Sequence, residues 1–540
     1  MKKLMTTIAL ALGMNCLAAT TYNYVDGTKT WSYTLQNSMA TLTGVTGTIN
    51  VEFVIPSEVG DTTKYPVVAI AANSFQSLAI TGLIIADSVK TIGAGAFANC
   101  TELKTVDMGN GVVTIANGNL NGDKNDPDRF YESGAFGGCI NLEEVSFSSS
   151  LITIGAHAFS ECLALKAVEL PDSLQTIGVN CFYHNKALGS VRFGTDLVSI
   201  GAYSFYNSPE LQAVTFAAND TPLLTIGSYA FANDVKLTTL SLSRSLRQIH
   251  ACAFSGCSAL EELVLPDSLT YIGYAAFYGC TSLRSVDMGN GVVTIDEANI
   301  TGYGQGANNS DPDRYVAYGA FGNCINLESV IFSGRLAMIG SHAFSECHAL
   351  KTVALPESLL TIGVNCFYHN KALTSVSFGT RIESVGNCSF YGCPALRYVT
   401  FAETTTPLLT IGSYAFANDI SLSTVELSGG LKTVQSGAFA NDPLLRKLTI
   451  PAIVTEFGNG VFSGMGDLKQ VTFAGLPPKN LANAGLPKDV EIRYSSEWKE
   501  DWEEVVASYG FTNAKEYNGD PTPPTPVPGA LTLTVSNIVV

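Results

Sequence analysis

Three sets of residues in this chain are of types that do chemistry, and each occurs twice or more. Asp126-Pro127-Asp128-Arg129-Phe130-Tyr131 and Asp311-Pro312-Asp313-Arg314-Tyr315 each gather two carboxylates, a guanidinium and an aromatic ring. Such a set offers hard oxygen ligands to calcium, or a charged loop to a partner. The EF-hand spacing and its terminal glutamate are missing. The run therefore reads as a structured turn, with Arg129 or Arg314 pairing to the aspartates, or as a recognition loop. Asp126, Asp128, Arg129, Tyr131, Asp311, Asp313, Arg314 and Tyr315 are the candidate binding residues. The second set is the cysteines, and the third is the paired histidines His157/His342 and His184/His369. No G-x-S-x-G, H-E-x-x-H or phosphate-cradling loop accompanies them, so no nucleophile, zinc pair or nucleotide site is indicated.

What positions these residues is a repeat. The pattern A-F-x-x-C-x-x-L-x-x-V-x-L-P-x-S-L-x-T-I-G recurs every 23 residues, from Phe75 to Phe462. A period of that length marks stacked coils, each too small to bury its own apolar face. In the copy from Leu165 to Phe182, Val168 and Leu170 alternate with Glu169, the mark of a strand with one face buried. Pro171 ends the ladder because it has no N–H to donate. Leu174 and Ile177 turn back to the core, Gly178 is expected to supply a turn, and a short helical turn is expected to carry Phe182 inward.

The repeat explains most of the chemistry-bearing residues without function. Cys100, Cys139, Cys162, Cys257, Cys280, Cys324, Cys347 and Cys393 all stand three residues after a repeat phenylalanine, where other coils have Asn185, Asn370, Asp234, Asp419 or Asp442. A small hydrogen-bonding side chain there satisfies backbone groups of the turn. Disulfides are the ordinary reading of cysteines in an exported protein, and Cys139–Cys162 and Cys324–Cys347 lie in successive coils. Coil spacing is not that of a zinc knuckle. The histidines are locked beside their phenylalanines and read as packing or rim residues.

The period breaks at four places, and the breaks are themselves repeated about 185 residues apart. Gly178 to Leu188 matches Gly363 to Leu373, and Val106 to Ile115 matches Val286 to Ile295. An array of about seven coils was duplicated, so a site in one half has a relative in the other. The longest breaks are the two Asp-Pro-Asp-Arg insertions, which makes them loops on one face. The outward strand positions, from Asp107 through Val264 and Ile331 to Thr472, form a second candidate surface, mostly small and hydroxylated.

The net charge is −17 and only 14% of residues are charged, which argues against a nucleic-acid partner. Met1-Lys2-Lys3, an apolar run to Leu17 and Ala18-Ala19 read as an export signal over 1–18, too short to span a membrane. Residues 21–60 read as a β-hairpin cap, with strands at Trp31–Leu35 and Ala40–Gly44. After Phe473 the repeat is expected to stop. Residues 476–519 form a C-terminal flank in which Ser496 to Gly510 has the spacing of an amphipathic helix, its tryptophans sealing the last coil. Residues 520–529 are a proline-rich linker, and 530–540 begin a strand pattern that suggests a further β domain.

Units such as Leu260 to Cys280 and Leu350 to Asn370, with the export signal and the hairpin start, resemble the BspA-type leucine-rich-repeat surface proteins of bacteria. The resemblance covers about residues 50–475. It implies a β-rich repeat solenoid, here a leucine-rich-repeat array of about 16 coils over 61–475, with no catalytic motif and no cofactor. It further implies an exported or cell-surface protein, some relatives acting as adhesins. The expectation is a monomeric, non-enzymatic binder of extracellular proteins or glycans. A spacer scaffold without its own ligand, or the non-catalytic region of a larger enzyme, are the alternatives.

Overall fold

The structure is a computed structural model, described here for residues 19–118, 134–217, 222–297, 318–403 and 409–517. The chain divides into two compact units, Met1–Ser258 and Ala259–Val540, each a β-solenoid.

In the coil read above, Leu165, Val168, Leu170, Leu174, Ile177, Cys181 and Phe182 are all at most 2% exposed, so the apolar pattern is the core. The coil has three sides, each a hydrogen-bonded ladder. Strand Ala167–Glu169 pairs in parallel register with Ser190–Phe193. Thr176–Ile177 pairs with Thr153–Ile154 before it and Ser199–Ile200 after it. On the third side Phe159 N donates to Cys181 O (2.8 Å), Phe182 N to Ser204 O (2.7 Å) and Phe205 N to Ala230 O (2.8 Å). Inside this side the phenylalanine rings stack face to face. Phe159, Phe182 and Phe205 stand 5.2 and 5.1 Å apart with planes 6° and 7° from parallel. Burial of each ring contributes roughly 1.5–3 kcal/mol and each stacked pair roughly 0.5–1.5 more.

The third side is not the helical turn the sequence suggests. The residues two before and two after the phenylalanine are left-handed: His157 (φ 60°) and Glu161 (58°) around Phe159, Tyr203 (56°) and Asn207 (59°) around Phe205. That alternation turns every second N–H toward the next coil, as His157 N to Val179 O and Glu161 N to Tyr183 O show. A helix would instead close those bonds within one coil. Gly178 also differs from expectation. Its φ is not left-handed; a Cβ there would meet the backbone of the preceding coil at Ala156 N and, 2.6 Å away, Gly155 C. Close approach of coils, not a turn, selects glycine.

The first unit opens with three antiparallel strands, β1 (Thr21–Asp26), β2 (Lys29–Gln36) and β3 (Met39–Gly47), one more than the hairpin expected. β3 then pairs in parallel with Tyr65–Ile70, joining cap to coils. Trp31, 1% exposed, lies 5.4 Å from Phe53 and 6.1 Å from Phe75, ending the ring column. In the second unit the ladder does not stop at Phe473: Glu491–Ser495 and Ala514–Tyr517 extend it in parallel. The expected helix is α1 (Lys499–Tyr509), its left-handed Gly510 closing the C-terminus. Ser495 rather than Ser496 caps the preceding 3-10 turn, its Oγ accepting from Glu497 N. Trp502, wholly buried, donates to Gly475 O (3.0 Å) and lies 4.5 Å from Phe473. Trp498 is only half-buried, so one tryptophan, not two, seals this end.

Candidate binding surfaces

The eight candidate residues of the two Asp-Pro-Asp-Arg insertions lie outside the described residues, within 119–133 and 298–317. The strand face can be followed. Its ladders set like positions side by side: Glu169, Arg192 and Thr215 in the first unit, and Ala354, Ser377, Thr400 and Glu426 in the second. Most are small or hydroxylated, as expected. The exceptions are a few charged residues and some exposed aliphatic ones. Val264 is 70% exposed and Ile331 63%, with Asp287 between them in register. The equivalent rungs of the first unit pair Ile84 with Asp107. Apolar side chains held this far into water face solvent at a cost that a partner's surface would remove.

The thiols serve the backbone. Cys100, Cys139, Cys162, Cys257, Cys324, Cys347 and Cys393 each donate through Sγ to the phenylalanine carbonyl of the preceding coil, at 3.2–3.4 Å. All twelve cysteines among the described residues are free thiols, and all but Cys388 are buried. Burial pushes the Cys162 and Cys347 thiols well up, away from the thiolate a nucleophile or metal ligand needs. Asn370 makes the same bond with an amide, from Nδ2 to Phe344 O at 3.0 Å.

Asp234, Asp419 and Asp442 occupy this position too, fully buried. One oxygen of each accepts a backbone N–H of the preceding coil, from Ser208, Cys393 and Asp419 at 2.8, 2.7 and 2.9 Å. The other oxygen has no partner. Desolvation raises all three carboxyls well above the ordinary range, and the Asp442 charge adds to this at Asp419. These carboxyls hold the coil position of the thiols and the amide, but only one of their two oxygens is bonded, and that one as an acceptor.

The histidines are rim and packing groups. His157 and His342 are buried, and desolvation lowers each to about 4, so they stay neutral. Their Nε2 atoms lie 3.4 and 3.3 Å from the side-chain amides of Asn180 and Asn365. His184 Nδ1 pairs with Glu161 (2.8 Å), and His369 and His348 with the two oxygens of Glu346 (3.2 and 2.6 Å). Among the described residues no three His, Cys, Asp or Glu side chains are placed to hold a metal.

The left-handed side carries a feature the sequence reading missed. In the first unit Tyr183 stacks on Tyr206 (5.4 Å) and Tyr203 on Tyr229 (4.7 Å), with His184 on Tyr183 (3.8 Å). In the second, Tyr368 stacks on Tyr391 (5.5 Å) with His369 on Tyr368 (3.9 Å). The signal was legible as tyrosines one after or two before the repeat phenylalanine.

A family model described as BspA type leucine rich repeat region, with six copies, matches residues 68–124, 131–223, 224–303, 312–409 and 405–483. Among solved structures, a leucine-rich repeat protein from Bacteroides ovatus is 22% identical with TM-score 0.52, covering 88% of this chain and all of that one. That likeness concerns the fold. A leucine rich cell surface protein from Faecalibacterium prausnitzii is 24% identical over 84% of this chain and 95% of its own, with TM-score 0.35. The T. pallidum leucine rich repeat protein is 25% identical over 38% of this chain and 87% of its own, with TM-score 0.31. No curated protein matches the chain. No catalytic family is among these matches. No helix among the described residues is long and apolar enough to cross a membrane.

Proposed function

Because the chain belongs to the BspA-type leucine-rich-repeat family, we propose that it is an exported, cell-surface binder of extracellular proteins or glycans and has no catalytic role of its own. The observation that carries this is the outward strand face, where Val264 and Ile331 stand 70% and 63% exposed around Asp287. Small or hydroxylated residues fill most equivalent rungs, so these two aliphatic side chains set this stretch of the face apart. The acidic, sparsely charged surface favours recognition by shape and hydrogen bonds over charge steering. The family and the Lys2-Lys3 leader support export. The Asp126-to-Tyr131 and Asp311-to-Tyr315 loops are a second proposed contact.

The test is a screen of the purified chain against extracellular-matrix proteins and a glycan array. It is repeated with Val264→Ser/Ile331→Ser and with both insertion loops deleted. Loss of binding in the serine variant is expected. Binding to nothing, or binding indifferent to both changes, would overturn the reading.

A further inference from the structure

The first unit begins with an open strand. Among the described residues β1 pairs only with β2. The rest of its sheet follows on the β2 side: β2 pairs with β3, β3 with Tyr65–Ile70, and that strand with Thr91–Ile92. Asp26 and Lys29 face each other across a two-residue turn, which makes theirs a doubly hydrogen-bonded pair. Tyr24↔Trp31 and Tyr22↔Tyr33 are then doubly bonded too. Thr21, Asn23 and Val25 therefore turn their N–H and C=O away from β2, and all three residues are exposed.

Edge strands are ordinarily blunted by lysine, proline or a bulge. β1 has none of these. It reads Thr-Tyr-Asn-Tyr-Val-Asp, with its one charge at the end. The bulge of this sheet lies one strand further in, at Ser32 and Tyr33. The last strand of the second unit, Ala514–Tyr517, does carry charges, Lys515 and Glu516. β1 also holds apolar surface in water. Val25 is 63% exposed and Tyr22 43%, the Tyr22 ring stacking on Tyr33 at 5.7 Å.

The strand is complementary to itself. Antiparallel pairing of two copies about a two-fold axis at Asn23 sets Asn23 against Asn23 and Thr21 against Val25. All three outward residues then find partners, with two backbone hydrogen bonds on each rung. Tyr22 stands beside Tyr24 of the second copy on one face, and Val25 beside Thr21 on the other. Aromatic and β-branched pairs of this kind stabilise a sheet, and no like charges meet. Removal of the leader over 1–18 would put the new amino terminus at Ala19, beside Thr20, which this register sets opposite Asp26 of the second copy. The coils of each first unit lie on the far side of its own β2, clear of the joint.

We propose that β1 is the contact by which two copies of this chain pair edge to edge, joining their caps into one continuous antiparallel sheet. A pair of six-residue strands is at the small end of protein interfaces, so the expected Kd is about 10 µM. Pairing puts two copies of each binding face on one particle, which raises avidity for a repeated ligand.

The test is sedimentation velocity on the chain from Ala19 onward, the form that export would leave. It should be mostly monomer at about 1 µM and mostly dimer at about 100 µM. Asn23→Pro removes an N–H that β1 does not give to β2, and otherwise only an exposed bond from Ser32 Oγ to Asn23 Oδ1. The melting temperature should hold while Kd rises at least about twentyfold. Asn23→Lys and Asn23→Asp each oppose like charges on the two-fold axis, and each alone should stay monomeric at about 100 µM. Mixed in equal amounts, they should form a heterodimer. A native chain that is monomeric throughout, a dimer that survives Asn23→Pro, or charge variants that pair no better mixed than alone would overturn the proposal. Should Asn23→Pro disturb the cap, the mixing experiment decides, since both charge variants keep every backbone N–H. These results leave Val264 and Ile331 untouched, so pairing fails separately from ligand binding.

Discussion

Replacing buried Asp419 with asparagine should stabilise the second unit at neutral pH, against the habit of treating a buried carboxylate as a site to preserve. Its Oδ1 accepts Cys393 N at 2.7 Å, but Oδ2 is buried with no partner. Asparagine keeps the acceptor and adds an N–H where Asn370 already donates to Phe344 O at 3.0 Å. A buried unsatisfied polar group costs roughly 1–3 kcal/mol. In a unit of this size, recovering about 2 kcal/mol raises Tm by roughly 4–8 °C. The pH dependence has a fixed sign. Burial raises the folded carboxyl above its ordinary value of 3.8, so the folded state holds the proton more tightly. The native chain is then best off below about 3.8 and loses that advantage as pH rises. The gain from Asp419→Asn should vanish near pH 3.5 and grow toward pH 7. Asp442, in the next coil, should behave alike. The double variant should gain less than the sum, because removing either charge relieves the other. Thermal unfolding by circular dichroism at pH 3.5, 5 and 7 measures this. A variant less stable than the native chain at pH 7, or a gain independent of pH, would refute the reasoning.

Other consequences follow from the same packing. His157 and His342 titrate in the opposite direction. Their folded value of about 4 lies below the ordinary 6.5, so stability present above pH 6.5 should fall as pH drops toward 4, and His157→Asn/His342→Asn should flatten that loss. Gly178→Ala should destabilise by more than about 3 kcal/mol through overlap with the preceding coil's backbone, while Gly466→Ala, with open space around it, should be nearly neutral in the same melt. Phe205→Ala removes a ring stacked on both sides and should cost about 3–5 kcal/mol in urea unfolding. Cys257→Val leaves the Phe231 carbonyl without its donor and should cost about 1–3 kcal/mol, most of it recovered in Cys257→Ser.

Much of this fold was legible because a period of 23 residues allows few structures. The alternation at Val168 and Leu170 gave a strand, Pro171 its end, and the phenylalanine spacing the ring column. The cysteine position was readable as a turn donor, though not its acceptor, which lies one coil away at the preceding phenylalanine carbonyl. The left-handed side was missed. Asparagine and glycine hint at positive φ, but His157, Tyr203 and Cys252 in the same positions hide the signal. The extra strands at Glu491–Ser495 and Ala514–Tyr517 lack the repeat's residues and joined the ladder through backbone bonds, which any side chain can accompany.

The sequence alone determined the coil, its duplication and the family, because each follows from periodicity in a linear string. It also determined which residues could not be read as catalytic, since a position locked to a packing repeat already has a structural reason. Only tertiary structure decided what each surface offers. Whether Val264 stands in water and whether Asp419 Oδ2 finds a donor depend on what the adjacent coil brings within a few ångströms. That neighbour is 23 or 26 residues away, and its side chain, not the local pattern, sets the exposure and the charge state of the site.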